Sequence, residues 1–326
     1  MRRGPEFEEM RAKQVMNRVT APSMPFEWSL NPYRGCTHGC SFCYARSTHS
    51  YMGLTADDTF QTHIFVKANA PEALEAQLKR MAKRFHNDLQ ALAVHIGRVA
   101  IGTATDPYQP VEARCELTRR CLMVLARYQV PVTVTTRSPL ILRDIPLLQQ
   151  MNVVSIQLSV HTLNKDIWRK LEPASPAPMK RLEAVRELVR HGLPAGVFVA
   201  PIVPYLTDSD EDLEAVIGAA KAHGATFVVP SLLRLADDVK PWFLQTVARH
   251  YPDVAPRLEQ LYKQAYPPRS YAERVMQRAR GLMLKHGVPT LRYGERPLPP
   301  RIQPDQAILP PMNSDDRPSE QLRLPI

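Results

Sequence analysis

Three cysteines stand within eight residues in the run Asn31-Pro-Tyr-Arg-Gly-Cys36-Thr-His-Gly-Cys40-Ser-Phe-Cys43-Tyr-Ala-Arg46. Gly35 and Gly39 allow the backbone to turn tightly around a bulky object. Thiolates at this spacing, three of the five cysteines in the chain, argue for a metal site rather than a disulfide framework. Three thiolates ligate three corners of a four-iron cubane, whereas an ordinary four-iron site uses four. The missing ligand leaves one iron open, and an open metal position marks a site that does chemistry. Spacing alone leaves two other readings standing. One is zinc, with His38 or His49 as fourth ligand; the other is an electron-transfer cluster completed by Cys115 or Cys121.

The elements that must position this loop alternate between β and α patterns. Apolar, β-rich runs lie near 98–104, 131–136, 153–160, 195–202 and 225–231, and a shorter one near 27–31 precedes the cysteines. Near-continuous apolar runs suit strands buried on both faces of a parallel sheet. Between them, helical spacing relates Leu74, Leu78, Met81, Phe85 and Leu89 over 71–89. It relates Leu182, Val185, Leu188 and Val189 over 179–191, and Leu213, Val216, Ile217 and Ala220 over 209–222. A further helix is expected over 110–128. Strand–helix alternation implies right-handed βαβ units, and six strands predict an α/β fold: a partial, open (β/α)6 TIM-like barrel of parallel strands. The cysteines then fall in the first loop after a strand, where barrels carry their chemistry.

The expected organisation is an N-terminal extension over 1–20, helical or loose, then the barrel over 21–235. A helical C-terminal region of the same unit follows over 236–295, purely helical across 238–286, and a proline-rich mobile tail over 296–326. The last 30 residues hold eight prolines. The 326 residues are 44% hydrophobic and 23% charged, ordinary for a soluble protein. The formal net charge of +10 permits a polyanionic partner such as nucleic acid. The first ten residues lack the apolar core of a secretory signal, and the most apolar stretch, Leu193 to Leu206, is broken by three prolines. A cytoplasmic address and no membrane span are expected.

The spacing Cys-x3-Cys-x2-Cys, with aromatic Phe42 just before the third cysteine, is the signature of the radical S-adenosylmethionine (SAM) superfamily. The runs NPYRGCTHGCSFCYAR, GTATDPYQPVE, TTRSPLILRDIPLL, KLEP and VFVAPIVP, in this order, resemble its spore photoproduct lyase-like branch, often labelled DNA repair photolyase-related, over about residues 26–235. The resemblance implies a [4Fe–4S] cluster on Cys36, Cys40 and Cys43 whose open iron binds SAM. It also implies a flavodoxin- or ferredoxin-like reductant, and a 5′-deoxyadenosyl radical that abstracts hydrogen from a substrate, with nucleic acid the leading class. Modification of a peptide or small molecule, and a zinc or iron–sulfur nucleic-acid-binding protein, are the alternatives.

Position by position, the resemblance implies that Phe42 lies against the adenine and that Thr105 and Asp106 accept from the methionyl ammonium. Arg137 pairs with the SAM carboxylate, Ser159 meets the ribose, and Gln157 faces the same way. Tyr108 and Gln109 are candidate substrate contacts, and His161 points toward the mouth from a strand end. The true lyases carry a hydrogen-donating cysteine where this chain has Thr103, and a hydroxyl O–H bond is far too strong for that step. Of the remaining thiols, Cys121 reads as a buried helix residue, while Cys115 is a candidate for a radical role. The terminal run from Gln321 through Leu322 and Leu324 to Ile326 resembles a bacterial sliding-clamp-binding peptide.

Overall fold

The computed structural model describes residues 4–291. Its strands are β1 (Glu6–Met10), β2 (Met16–Arg18), β3 (Trp28–Leu30), β4 (Tyr33–Arg34), β5 (His63–Lys67), β6 (Val99–Ile101), β7 (Val132–Thr136), β8 (Val153–Ser159), β9 (Ala195–Ile202) and β10 (Val228–Leu232). A seven-stranded sheet runs in the order β10-β9-β8-β7-β6-β3-β2. The six strands from β3 to β10 along that row pair in parallel, and β2 pairs antiparallel with β3 at one edge. The sheet stays open between β2 and β10, so the fold is the partial TIM-like barrel that the six apolar runs predict.

Those runs are apolar because they are covered on both faces. Val99, Val132, Val134, Ile156, Leu158, Val197 and Ile202 are all buried. Outside them lie the helices Ala70–Lys83, Leu117–Arg127, Pro178–Arg190 and Asp210–Ala222. Leu74, Leu78, Leu122, Leu125, Leu182, Val185 and Ile217 from these helices join the strand residues in one core. Each such side chain contributes about 1.5–3 kcal/mol by leaving water. The helix Arg269–Lys285 adds Val275, Ala279 and Met283 to the same core.

Several local expectations are corrected. The extension over 1–20, read as helical or loose, holds β1 and β2 within its described residues 4–20. In β1 charged residues leave only Phe7 and Met10 partly buried, which hides the strand pattern. β2 is held by Gln77, whose amide accepts from Met16 N at 3.3 Å and donates to Met16 O at 2.7 Å. β1, β5 and β4 make a second, three-stranded sheet. The continuous helix over 71–89 divides: His86 and Asn87 take left-handed backbone angles, and Asp88 caps a new helix Leu89–Ile96 through Gln90 N and Ala91 N. The helix over 110–128 divides likewise at Glu116 (φ 48°). The region 238–286 holds three helices, Lys240–His250, Ala255–Leu261 and Arg269–Lys285. No helix of the described residues is long and apolar enough to cross a membrane. The proline-rich tail, including Gln321, Leu322 and Leu324, lies outside the described residues.

Lys67, at the end of β5, is buried and donates from Nζ to Asn31 O at 2.7 Å. Burial, helped by Arg34, pushes its ammonium down to about 8. An unfolded lysine holds its proton to about 10.4. Between those values the unfolded chain binds more protons, so stability rises with pH across that window, by on the order of 3 kcal/mol. Below about pH 8 both states are protonated and the full cost of the buried charge is present. Lys67→Met is expected to remove this rise. Parallel wild-type and variant stability curves from urea unfolding between pH 7.5 and 10 would show that Lys67 is not its source.

Candidate active site

Beyond β3 the chain turns through Asn31 and β4 into the cysteine loop. Gly35 has φ +82°, and a Cβ there would stand 2.7 Å from His63 O, so only glycine fits. The loop is fastened on two sides. Cys36 N donates to Phe60 O at 3.0 Å and Ser41 N to Leu171 O at 2.8 Å. Thr37 N donates to Gln109 Oε1 at 3.1 Å, and Gln109 Nε2 donates back to Gly35 O at 3.2 Å. Cys36 and Cys40 are buried, Cys43 is partly exposed, and all three are free thiols. Burial pushes the Cys40 thiol well up; Arg137 opposes this while Glu172, Cys43 and Cys36 add to it. Cys43 is raised by burial and Cys36. Ionising thiols in so buried a loop needs a cation to offset their charge, which is what a metal centre supplies.

Arg46 lies buried beneath the loop. It donates from Nε to Cys40 O at 3.0 Å and from Nη1 to Asp57 O. Its guanidinium sits 5.5 Å from the Phe60 ring and 5.3 Å from the Trp242 ring.

Of the alternative fourth ligands, His38 lies beside Cys36 with its Nδ1 toward Asp106, and the others are placed elsewhere. His49 is buried with Nε2 3.0 Å from His63 O and its ring edge-on to Phe60 and Phe65. His38 Nδ1 lies 3.3 Å from Asp106 Oδ2. Burial opposes the imidazolium, but Cys36 and Asp106 raise it to about 10. Cys121 is buried in the main core, and Cys115 packs beside Tyr33, Val66, Val111 and Leu117, a cluster separate from the loop. Among the described residues no three His, Cys, Asp or Glu side chains group tightly enough for one ion. Zinc needs ligands converging on a point at about 2.0–2.3 Å, whereas a cubane receives each thiolate on a separate iron.

The ends of β6, β7 and β8 close over the loop. Asp106 accepts from Thr136 Oγ1 at 2.6 Å, Tyr108 N at 2.9 Å and Arg137 N at 2.7 Å. Burial opposes its charge, yet His38 and these donors hold the carboxyl at about 2. Thr105 Oγ1 donates to Gly35 O at 2.5 Å and accepts from Gln109 Nε2 at 3.0 Å. Thr105 and Asp106, expected to receive the SAM ammonium, also hold the loop and the β7 end. Tyr108 and Gln109, expected at the substrate, are fully buried.

Arg137 and Phe42 do meet at the mouth, with the guanidinium 5.7 Å from the ring centroid. Arg137 donates from Nε to Glu172 Oε1 at 2.8 Å, and its Nη groups make no hydrogen bond among the described residues. Burial opposes its charge, but Cys40 and Glu172 raise it further above the usual arginine range. His161 stands edge-on to Phe42, 5.1 Å between centroids, with Nδ1 3.5 Å from Glu172 Oε1. Ser159 and Gln157 are buried on β8, and the Ser159 hydroxyl has no hydrogen bond among the described residues. Thr103 sits beside the loop, its Oγ1 accepting from Asn31 Nδ2 at 3.0 Å and its carbonyl accepting from Tyr44 Oη.

Three residues of the site escape the sequence reading: Tyr44, Glu172 and Arg181. Glu172 is fully buried between two arginines. Arg181 Nη2 donates to its Oε2 at 2.5 Å, and Arg181 Nη1 donates to Ser159 O at 2.8 Å. Burial opposes the Glu172 charge, but Arg181, His161 and Arg137 together hold the carboxyl well below the usual range. The available signal is Arg181 itself, which shares the buried stripe of its helix with Val185 and Leu188.

A sequence model of the Radical SAM superfamily matches residues 30–217. An uncharacterized protein of Mycobacterium tuberculosis is 34% identical over 315 residues, covering 94% of this chain and 88% of that one. A radical SAM Nalpha-GlyT isomerase of Pseudomonas phage M6 is 24% identical over 222 residues, 68% of this chain and 42% of that one. A solved spore photoproduct lyase variant with bound AdoMet and dinucleoside spore photoproduct superposes with TM-score 0.62 at 14% identity, covering 86% of this chain and 78% of that chain. At that identity the likeness to the lyase is one of fold.

Proposed function

The chain belongs to the radical SAM superfamily, and from that premise we propose that Cys36, Cys40 and Cys43 hold its [4Fe–4S] cluster and that the barrel mouth presents a nucleic acid to the chemistry. Superfamily members use this cluster with SAM and draw an electron from an external reductant; a flavodoxin or ferredoxin suits that part. When bound, the cluster and SAM supply reductive C–S cleavage and hydrogen abstraction from the substrate.

The observation that carries the reading is the three-thiol loop at the end of the first barrel strand with Arg137 beside it. The donor set fits the group: three thiols, no fourth thiol in their cluster, and a guanidinium to offset negative charge. Arg137, fixed through Nε by Glu172, would hold the SAM carboxylate through its Nη groups, as a guanidinium suits a bidentate contact. Phe42 would hold the adenine, and Ser159 with Gln157 would hold the ribose. Thr103 gives no donor hydrogen atom of the lyase kind, so spore photoproduct is not repaired here by the lyase's route. Basic net charge supports a nucleic-acid substrate over a peptide.

Anaerobic reconstitution is expected to give a brown protein that forms 5′-deoxyadenosine from SAM and dithionite. Arg137→Ala is expected to keep its iron and bind SAM about 1.5–3 kcal/mol more weakly, the usual worth of a hydrogen bond to a charged group. A colourless protein that cleaves no SAM would end the proposal, and unchanged SAM affinity in the variant would make Arg137 structural.

A further inference from the structure

Three arginines near the open edge of the barrel lie against tyrosine rings. Arg234, two residues past β10, has its guanidinium 5.8 Å from the Tyr266 ring; Arg257 stands 4.0 Å from the Tyr205 ring; Arg274 stands 5.6 Å from the Tyr271 ring. Tyr205 and Tyr271 meet edge-on at 6.0 Å. Arg234 and Arg257 are exposed, and Tyr266 is 59% exposed. Among the described residues none of the three arginines has a carboxylate within ion-pair reach.

Asp208, Asp237 and Asp238 are engaged elsewhere. Asp208 accepts from Tyr271 Oη at 2.5 Å and Asp238 from Ser50 Oγ at 3.1 Å, while Asp237 pairs with Lys240 at 3.3 Å. The strip is also built rather than loose. Leu235 N donates to Ala265 O at 2.8 Å, and Tyr262 Oη donates to Leu233 O at 2.9 Å, tying the loop after β10 to the segment that carries Tyr266.

It is continuous with the cysteine loop. Cys40, Phe42, Val203, Leu233, Leu235 and Tyr262 share one apolar cluster, against which Cys43 and Tyr205 pack. Tyr44, the residue after Cys43, is half exposed.

The geometry points to this strip, running from Tyr44 past Arg234 and Tyr266 to Arg257 and Tyr205, as the track that holds an unpaired nucleic-acid strand at the mouth. Unpaired guanidinium groups take phosphates, and the exposed rings of Tyr44 and Tyr266 take unstacked bases while partly buried Tyr205 backs Arg257; the alternation of the two is the grip expected for a single strand. A base reaches the bottom of a barrel mouth only when it is out of the duplex stack, so an unpaired strand is also what the site geometry demands. Acidic peptides satisfy the arginines but leave the tyrosine faces without stacking partners. The inference rests on the nucleic-acid reading above and adds where the strand lies.

The test is fluorescence anisotropy on the reconstituted holoenzyme with labelled single-stranded DNA and RNA oligonucleotides over a range of salt. Arg234→Gln and Arg257→Gln are each expected to weaken binding and to lower the slope of log affinity against log salt by about 0.7, one phosphate contact. Tyr266→Ala is expected to cost about ten-fold in affinity, with Tyr266→Phe restoring it. Arg80→Gln, on the outer helix, is expected to bind as wild type does. Iron content and the thermal midpoint of each variant report folding. Wild-type affinity and salt slope in both arginine variants, equal losses in Arg80→Gln, or displacement of the oligonucleotide by polyglutamate at matched charge would each overturn the assignment. SAM cleavage by wild type, scored in the same samples, separates these outcomes from a failure of the radical SAM reading itself.

Discussion

Replacing any one of Cys36, Cys40 and Cys43 by alanine is expected to lower bound iron to background after anaerobic reconstitution and to abolish 5′-deoxyadenosine formation. With one iron already lacking a protein ligand, removal of a thiolate leaves two of four corners anchored. Cys36 and Cys40 are buried, so water does not readily fill the lost position. The surroundings are arranged for the anionic assembly: Arg137 lowers the thiol of Cys40, and Arg46 and Arg137 that of Cys43, against the effect of burial. Cys115→Ala and Cys121→Ala, in separate apolar clusters, are expected to retain full iron. The measurement is iron and sulfide per chain with the visible spectrum. Full iron in any of the three loop variants, or its loss in the Cys115 variant, would overturn the ligand assignment.

The six barrel strands were legible because burial on both faces wrote continuous apolar runs, as in Val132–Thr136 and Ala195–Ile202. β1 and β5 were not, because β1 alternates charge with half-buried residues and finds its partner far along the chain at His63–Lys67. The helix breaks at His86–Asn87 and at Glu116 were invisible to periodicity, since a left-handed residue interrupts the backbone without changing which faces are apolar. In the candidate site, the cysteine loop could be read from spacing, and the placing of Arg137 and Phe42 at the mouth from the resemblance. Glu172 could not, because its meaning comes from Arg181 nine residues on and Arg137 on a different strand end. The same limit applies to Thr105 and Asp106: sequence places them at the mouth, but their hydrogen-bond partners come from the cysteine loop and the end of β7.

Glu172→Gln, which keeps the shape and removes the charge, is expected to destabilise the protein by about 3–5 kcal/mol, because it leaves buried positive charge uncompensated. Arg181 is fully buried, and its other hydrogen bonds go to neutral oxygens of Ser159, Ser175 and Pro176. Glu172 is therefore its one anionic partner among the described residues, and it serves Arg137 at the same time. The native carboxyl is held well below the ordinary carboxylate range by Arg181, His161 and Arg137 against the effect of burial. Its contribution is then present above the unfolded value near 4.3 and is lost as pH falls through the native value, so the two proteins should converge in acid. Urea unfolding at pH 7.5 and in a series descending well below pH 4 measures both. A double change that also replaces Arg181 by Met should lose less than the sum of the single changes, since each partner's absence removes the reason for the other. SAM affinity of the Gln variant should fall as well, because Arg137 loses the contact that aims its Nη groups. A loss below about 1 kcal/mol at pH 7.5, the level of an exposed ion pair, would mean that the two arginines are solvated or paired by something other than Glu172.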